Sequence, residues 1–534
     1  MPIDATAIPH LEQREAAPVL MVDGRPFTLL AGEVHNSTSS SPRALAESLD
    51  QAVALGMNSV LVPVTWELVE PEEGAFDFTT VDFALALARE RGLRLGLLWF
   101  GAWKNAQCFY APAWVKHDLE RFPRAQMARG QNRMVLTDFH NMSYSALSLF
   151  AAATREADAR AFEALMAHLA KADPQHTVVM VQVENECGEQ GGAREHSAAA
   201  DAAFAGQVPA GLVEALTASR DTLAPDIAAA LDAGSGAGTW EEVFGASAEE
   251  LFTSYHMASY VEAVAAAGRA ENPLPLAVNC WLDKGHKPGR FPTGGPVARV
   301  MEVWRYAAPT IDVFMPDIYV PYFCDVCDEY RKLGNPLAIP ETATYAYASA
   351  REIWAVGHHH ALCFAPFGFE DMGKPFDASA GVLLGADVSD PAFRIPQDPS
   401  EYRAVTERLS GLLSLDPDAY GTPRLNAASR ERADEAALAM GAFTVDVTFA
   451  AEGLPGAAAV LKVAEGEFYV LAMRCMLAFR STDAAHPHVD LLVLEDGEVR
   501  DGAWVADRRL NGDEAAIMRY DEPTLLHVTL FAYA

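Results

Sequence analysis

The sequence predicts an α/β protein: a (β/α)8 TIM barrel followed by a small C-terminal antiparallel domain of β-sandwich type. Three observations predict it. From about residue 26 to 370, short apolar runs alternate with amphipathic helical stretches, the signature of repeated βα units and a parallel sheet. Eight such apolar runs are present, the number with which a barrel closes. After about residue 433 the pattern changes to alternating β-type runs parted by turn residues such as Glu495-Asp-Gly497 and Asn511-Gly512.

The eight expected strands cover residues 27–32, 59–64, 94–99, 178–183, 275–279, 311–319, 337–340 and 360–366. Their runs of Val, Leu and Ile carry no polar alternation, as expected of strands buried on both faces. Amphipathic spacing places helices over 42–55, 80–91, 157–171, 248–267 and 296–307. Segment 190–250 is longer than a standard crossover, rich in Ala and Gly, with a helical piece over 210–223. Such an insertion either shapes a cleft at the strand-to-helix face or is a plain excursion. Residues 400–415 read as the last helix. The expected domains are therefore a barrel over 1–415, a Pro/Gly/Asn-containing connector over 416–432, and a β-domain over 433–534. Within the last, strands are expected at 443–449, 460–462, 467–473, 489–494 and 525–533.

Composition narrows the partners. The 534 residues carry 73 acidic against 40 basic side chains, a formal net charge of −33. That field repels nucleic acid and anionic bilayers, and it is indifferent to a neutral polymer such as an oligosaccharide. Seven cysteines, an odd number without framework spacing, suit buried thiols in a reducing compartment; Cys324-Asp-Val-Cys327 is a lone pair without a second pair beside it. Met1-Pro-Ile-Asp-Ala-Thr-Ala lacks a basic segment and an apolar run, so no signal peptide is visible and a cytoplasmic location is expected. No stretch approaches the ~18 apolar residues of a membrane span.

Two carboxylates carry the expected chemistry. Glu186 closes the run Thr177-Val-Val-Met-Val-Gln-Val-Glu-Asn-Glu186, and Glu341 closes Pro336-Leu-Ala-Ile-Pro-Glu341. Each ends a buried strand, four and seven, at the face where a parallel barrel does its chemistry. A retaining glycosidase protonates the leaving oxygen with one carboxyl and attacks the anomeric carbon with the other, the two lying ~5–5.5 Å apart. Asn185 offers a neutral donor for the sugar's 2-hydroxyl. Strand alternation puts Gln182, Glu184 and Glu186 on one face, so periodicity alone does not choose between the glutamates. Glu186 is nearer the open mouth and follows Asn, so it is the expected catalytic group, with Glu184 a support in the wall. Tyr319 on strand six could hold Glu341 ionised.

Rings and polar groups at strand ends complete the expected cleft: Trp66, Trp103, Trp281, Tyr319 and Phe367, together with Asn279 on strand five. His35 either contacts a hydroxyl or plugs the barrel floor. His358-His-His360 resembles a metal cluster but precedes strand eight at the bottom of the barrel, where a structural role is expected. No metal or cofactor is expected.

Several motifs carry a resemblance. Leu30-Ala-Gly-Glu-Val-His35, Trp66-Glu-Leu-Val-Glu-Pro71 with Gly74 and Phe76-Asp-Phe78, Gly101-Ala-Trp103 with Ala111-Pro-Ala-Trp114, and Gln182-Val-Glu-Asn-Glu-Cys-Gly188 resemble the strand-end motifs of glycoside hydrolase family 35, the β-galactosidases. The resemblance covers about residues 20–400. The tail, including Arg508-Arg-Leu-Asn-Gly-Asp-Glu514, is similar to the extra β-domain of a bacterial subgroup. It implies that Glu186 is the acid/base, Glu341 the nucleophile, and the mechanism retaining. Where the family has a galactose-holding glutamate the chain has Ala102; a tyrosine on strand two becomes Pro63, the asparagine after Trp66 becomes Glu67, and the tyrosine after the acid/base becomes Cys187. Glu67 could take over hydroxyl binding.

The expected function is thus a retaining, exo-acting β-galactosidase releasing terminal galactose from plant-derived oligosaccharides. The alternatives are a related barrel glycosidase with β-glucosidase, arabinosidase or β-mannosidase specificity, and, more remotely, a non-catalytic sugar-binding protein. The tail domain could bind carbohydrate, form a homo-oligomer contact or simply cover the barrel.

Overall fold

The computed structural model describes residues 8–127, 145–375, 391–517 and 520–534. Eight parallel strands form one sheet: β1 Leu29–Glu33, β2 Ser59–Thr65, β3 Arg94–Lys104, β4 Val178–Asn185, β5 Leu276–Trp281, β6 Val313–Asp317, β7 Ile339–Thr342 and β8 Cys363–Pro366. Their order is β7-β8-β1-β2-β3-β4-β5-β6. The ring closes between β6 and β7, where the Ile318 amide donates to the Glu341 carbonyl (2.9 Å) and the Thr342 hydroxyl donates to the Ile318 carbonyl (2.8 Å). The strands are buried almost throughout, which explains their unbroken apolar character.

Inside the ring lie Leu29, Ala31, Leu61, Leu98, Phe100, Met180, Ala277, Met315 and Ala365. Leu20 and Val22 join this inner cluster from a small antiparallel sheet of His10–Glu12, Val19–Val22 and Arg25–Phe27. Eight principal helices surround the ring: α1 Pro42–Ala54, α2 Thr79–Arg91, α3 Ala152–Ala172, α4 Ala248–Glu271, α5 Met301–Ala307, α6 Phe323–Tyr330, α7 Ala348–His359 and α8 Pro399–Leu415. Helix α1 starts as its sequence dictates, with Pro42 in the first turn and the Ser41 hydroxyl accepting from the Ala44 amide (3.3 Å). The insertion after β4 folds into short helices at Ala198–Phe204, Ala210–Ala218, Pro225–Ala233 and Trp240–Phe244. Trp240 anchors it, packing against Phe252 and Tyr255 of α4.

Two antiparallel sheets make up the tail. The larger runs β9-β12-β13-β17-β15-β16 and the smaller β10-β11-β14, with β9 Leu425–Ser429, β10 Glu435–Met440, β11 Phe443–Phe449, β12 Ala457–Ala464, β13 Glu467–Met473, β14 Cys475–Ser481, β15 His488–Arg500, β16 Ala503–Arg509 and β17 Thr524–Tyr533. Leu438, Val445 and Val447 of the smaller sheet share a core with Val460, Phe468 and Val470 of the larger. One expectation is corrected here: residues 416–432 are no mere connector, because they contain β9, an edge strand of the large sheet. Turn-forming residues on either side hide the strand Leu-Asn-Ala-Ala-Ser from a composition reading.

The large sheet packs directly on α7. Gly357 makes the approach possible, since a Cβ there would lie 2.6 Å from the Ala427 Cβ and 3.3 Å from that of Ala459. Beside this seam the fully buried Arg351 of α7 donates through Nε and Nη2 to the Glu431 carboxylate (2.7 Å for the shorter bond). Removing one partner of such a pair strands a buried charge. Arg351→Met should therefore lower the unfolding free energy by about 3–5 kcal/mol in urea titrations. The double variant Arg351→Met/Glu431→Gln should regain most of that loss; equal stability of wild type and single variant would show that the pair contributes nothing.

Candidate active site

The mouth of the barrel is built from strand ends whose backbone departs from the regular pleat. Glu184 (φ +61°), Glu186 (φ +43°), Asn105 (φ +52°) and Ala106 (φ +57°) all adopt left-handed conformations. Such conformations in residues other than glycine cost about 1–3 kcal/mol each and gather at functional sites. Their effect here is geometric. The turn at Glu184 breaks strand alternation, so Gln182, Glu184 and Glu186 do not share one face.

Glu184 points into the wall, where its carboxyl accepts from the amides of Ala102 (3.3 Å) and Trp103 (2.8 Å). Burial, and next the neighbouring Asp158 carboxyl, raise its pKa well above the ordinary range, so the two acids share a proton. Asp158 is held in turn by Trp99 Nε1 and the Tyr260 hydroxyl, both at 2.9 Å. Gly101 leaves the room for this cluster: a Cβ there would lie 2.4 Å from Trp99 Nε1 and 2.7 Å from Glu184 Oε1.

Asn185 and Glu186 both address the centre. The Glu186 amide donates to Asn279 Oδ1 (2.9 Å), and its Oε2 accepts from Asn105 Nδ2. Ligating oxygens of Glu186, Asp317 and Glu341 all lie within 4.8 Å of one another. Glu341 is ringed by donors: the Tyr319 hydroxyl at 2.9 Å, Asn185 Nδ2 at 3.4 Å and Lys104 Nζ at 3.9 Å. Asn279 Nδ2 donates to Asp317 Oδ2 (2.8 Å) and lies 3.5 Å from Glu341 Oε1.

Burial dominates the electrostatics, because each of these groups is almost sealed from water. Glu186 is 5% exposed. Desolvation first, and the charge of Glu341 second, push its pKa from 4.5 up to about 7, against the opposing pull of Lys104. Asp317 and Glu33 are raised well above the ordinary range, by burial and then by Glu341. Both Glu33 oxygens are buried and lack a hydrogen-bond partner. For Lys104, burial works to lower the pKa, but the surrounding Glu341, Glu186, Glu33 and Asp317 more than offset it and hold the ammonium charged. The arrangement therefore supplies a proton-bearing carboxyl on Glu186, a second carboxyl on Glu341 close beside it, and amide donors next to both.

Of the residues singled out from the sequence, Glu186, Glu341, Asn185, Asn279 and Tyr319 converge on this centre. The aromatic residues divide. Trp281 is half-buried at the end of β5, with Lys284 Nζ 5.6 Å from its ring centre. Phe367 is half-buried against a cluster of Tyr319, Ala343, Tyr345 and Phe393, and edge-on to His35 at 5.4 Å. His35 stands exposed at the mouth end of β1, its Nε2 2.9 Å from Asp371 Oδ2, so it does not plug the floor. Trp66 is fully buried, its indole bonded to Glu70.

Two expectations are corrected. Trp103 is 0% exposed and packs edge-on against Tyr260 of α4 at 4.6 Å, so it is wall and offers no face to a sugar. Glu67 turns its half-exposed carboxylate to Lys116 (3.8 Å), not to the carboxyl cluster. At the far end of the barrel His358 Nδ1 meets Asn426 Oδ1 (2.9 Å) and His360 Nδ1 accepts from the Gly421 amide (3.2 Å), a seam with the tail domain. Burial lowers His359 and His360 to about 3 and about 4, so both are neutral.

Four residues of the centre escaped the sequence reading. Asp317 ends β6, as Glu341 stands one residue before the end of β7, but the expected strand six ran on to 319 and concealed it. Lys104 and Asn105 follow from β3 running five residues past its expected end. Glu33 lies within Leu30-Ala-Gly-Glu-Val-His35, where His35 is the more conspicuous side chain.

The profile described as "Glycosyl hydrolases family 35" matches residues 19–106, and one described as "Domain of unknown function (DUF5597)" matches 406–519. A β-galactosidase of Xanthomonas manihotis is 42% identical over 69 residues, 13% of this chain; the chain thus spans 11% of the length of that relative. Among solved structures, a β-galactosidase of the psychrophilic Marinomonas ef1 superposes with a TM-score of 0.48 at 16% identity, over 73% of this chain and 61% of the other. A GH42 β-galactosidase of G. stearothermophilus gives 0.48 at 11% identity, over 94% and 99%. The matched segment 19–106 holds β1 to β3 and the strained turn that presents Lys104 and Asn105, whereas Glu186 and Glu341 lie beyond it. Over residues 19–106 the chain is thus similar to glycoside hydrolase family 35, and over 406–519 to the DUF5597 domain.

Proposed function

We propose that the protein is a retaining, exo-acting glycoside hydrolase, a β-galactosidase that releases terminal galactose from plant-derived oligosaccharides. The separation of the two carboxyls carries this reading. Oxygens of Glu186 and Glu341 within 4.8 Å suit the ~5–5.5 Å of a double displacement, and fall short of the ~6.5–9.5 Å that an inverting enzyme needs for its water. Their burial suits a pocket that admits a chain end. Galactose rests on the family 35 match and on the similarity to the Xanthomonas manihotis β-galactosidase.

In the first half-reaction a Glu341 oxygen bonds to the anomeric carbon as the glycosidic bond breaks, and Glu186 gives its proton to the departing oxygen. The Asn185 amide faces the place of the 2-hydroxyl. Once Glu341 is esterified its negative charge is gone, and with it the second-largest influence holding the Glu186 pKa up. Glu186 is then the stronger acid, left ionised to take a proton from the water that cleaves the ester. One carboxyl thus serves as acid and then base through the charge state of the other. Seven buried, unpaired cysteines fit a reducing, cytoplasmic setting.

Ala102 and Pro63 favour a second reading, the same mechanism on another sugar. A panel of aryl β-galactoside, β-glucoside, β-mannoside and α-L-arabinoside decides between them, with highest kcat/KM expected on the galactoside. A galactoside rate far below another member's would transfer the assignment. Glu186→Gln should cut kcat by about 10²–10⁴ on an aryl galactoside with a poor leaving group, and much less with a good one; wild-type turnover in both would end the assignment.

The Glu186 pKa adds a pH dependence with a definite sign. Raised from 4.5 to about 7 on folding, it favours the native state most below pH 4.5, and this contribution is lost as pH rises through 7. Glu186→Gln removes the titration. Its Tm advantage over wild type should grow between pH 5 and pH 8, and the alkaline limb of wild-type kcat/KM should fall near pH 7. A Tm difference independent of pH would contradict the assigned protonation.

A further inference from the structure

The end of β3 presents two consecutive side chains to the same centre, which a regular strand cannot do. Lys104 and Asn105 manage it because the backbone turns left-handed at Asn105 and Ala106, and the Ala106 amide ties this turn to the Glu186 carbonyl (3.1 Å). Lys104 is 3% exposed, and its Nζ lies 2.9 Å from Asn185 Oδ1 and 3.9 Å from Glu341 Oε1.

Hydrogen-bond chemistry fixes what that contact does. An ammonium offers three donors and no acceptor, so the Asn185 atom facing it must be the oxygen. The NH2 group of the same amide then has one direction left, toward Glu341 and the space above it. We propose that Lys104 is a positioning residue for glycosyl transfer: it locks the Asn185 amide with its donor side toward Glu341 and the 2-hydroxyl of the bound sugar. This inference rests on the glycosidase reading above. Without the ammonium, either amide face can turn to the pocket, and a carbonyl oxygen directed at Glu341 would be repelled by the carboxylate that now receives a donor.

The test compares an aryl β-galactoside with its 2-deoxy counterpart. Wild type should discriminate strongly against the 2-deoxy sugar in kcat. Lys104→Met should lose about 10²-fold in kcat on the complete sugar, with KM little changed, as expected when a contact to the transition state is misplaced. On the 2-deoxy sugar it should lose far less, so that the discrimination collapses. Lys104→Met/Asn185→Ala should be no slower than Asn185→Ala, because the two residues act as one unit. Equal losses on both substrates, or additive losses in the double variant, would overturn the proposal and leave Lys104 a packing residue. Lys104→Gln, uncharged but still a donor, guards against a misfolded methionine variant: it should keep the discrimination, and losing it would likewise overturn the proposal. Glu341→Ala reads the parent assignment separately. Full activity in that variant would sink the glycosidase reading whatever Lys104 does, whereas an inactive Glu341→Ala beside an unchanged Lys104→Met sinks only the present inference.

Discussion

Repulsion between two carboxyls held within 4.8 Å in a nearly dry pocket is the constraint on which the rest of the site depends. In water it would amount to little; in this buried site it adds to the larger effect of desolvation, and together they push the Glu186 pKa up to about 7. Left alone, such a pair would move apart or both would bind protons. The barrel prevents separation by fixing both at strand ends whose positions are set by the hydrogen-bonded ring, with closure at Ile318 and Thr342 immediately beside Glu341. Lys104, Asn105, Asn185 and Tyr319 supply the donors that let at least one of the pair remain charged.

The rigidity required for this has a visible source. The wall behind β3 and β4 is itself polar, a chain of Trp99, Asp158, Tyr260 and Glu184 closed by the amides of Ala102 and Trp103. A fully bonded buried network of this kind specifies one arrangement where an apolar contact would tolerate several. Farther out, the tail domain grips α7 through the Gly357 contact and the Arg351–Glu431 pair, and α8 through Arg474, whose guanidinium meets the Glu401 carboxylate at 2.7 and 2.8 Å. Helices α7 and α8 flank β8 in the chain, so the tail braces the segment of barrel next to β7, the strand that carries Glu341.

Much of this was legible in the sequence, for a physical reason. Parallel strands buried on both faces read as unbroken apolar runs, so all eight barrel strands could be placed, and two carboxylates ending such runs stood out. Illegible were features that depend on backbone conformation without a sequence signature. Nothing in Val183-Glu-Asn-Glu186 announces positive φ, since neither glutamate is a residue that favours it, so strand alternation wrongly sets Gln182, Glu184 and Glu186 on one face, although Glu184 lies in the wall as expected. The same turn on β3 concealed Lys104 and Asn105. Trp103 was misjudged because an aromatic residue near a strand end carries no mark of whether it faces pocket or helix; Tyr260, 157 positions away, decides it. Strand β9 was hidden by its turn-rich flanks, and only its pairing with β12 reveals it.

Everything at the mouth turns on whether the two carboxyls act on one bond through a covalent intermediate. The stereochemical course of hydrolysis reads that directly. Proton NMR of an aryl β-glycoside during the first minutes of turnover should show the β-anomer of the free sugar appearing first, with the α-anomer arising later by mutarotation. Initial release of the α-anomer would mean that water attacks in the first step, which the observed spacing of Glu186 and Glu341 does not accommodate, and would contradict the account.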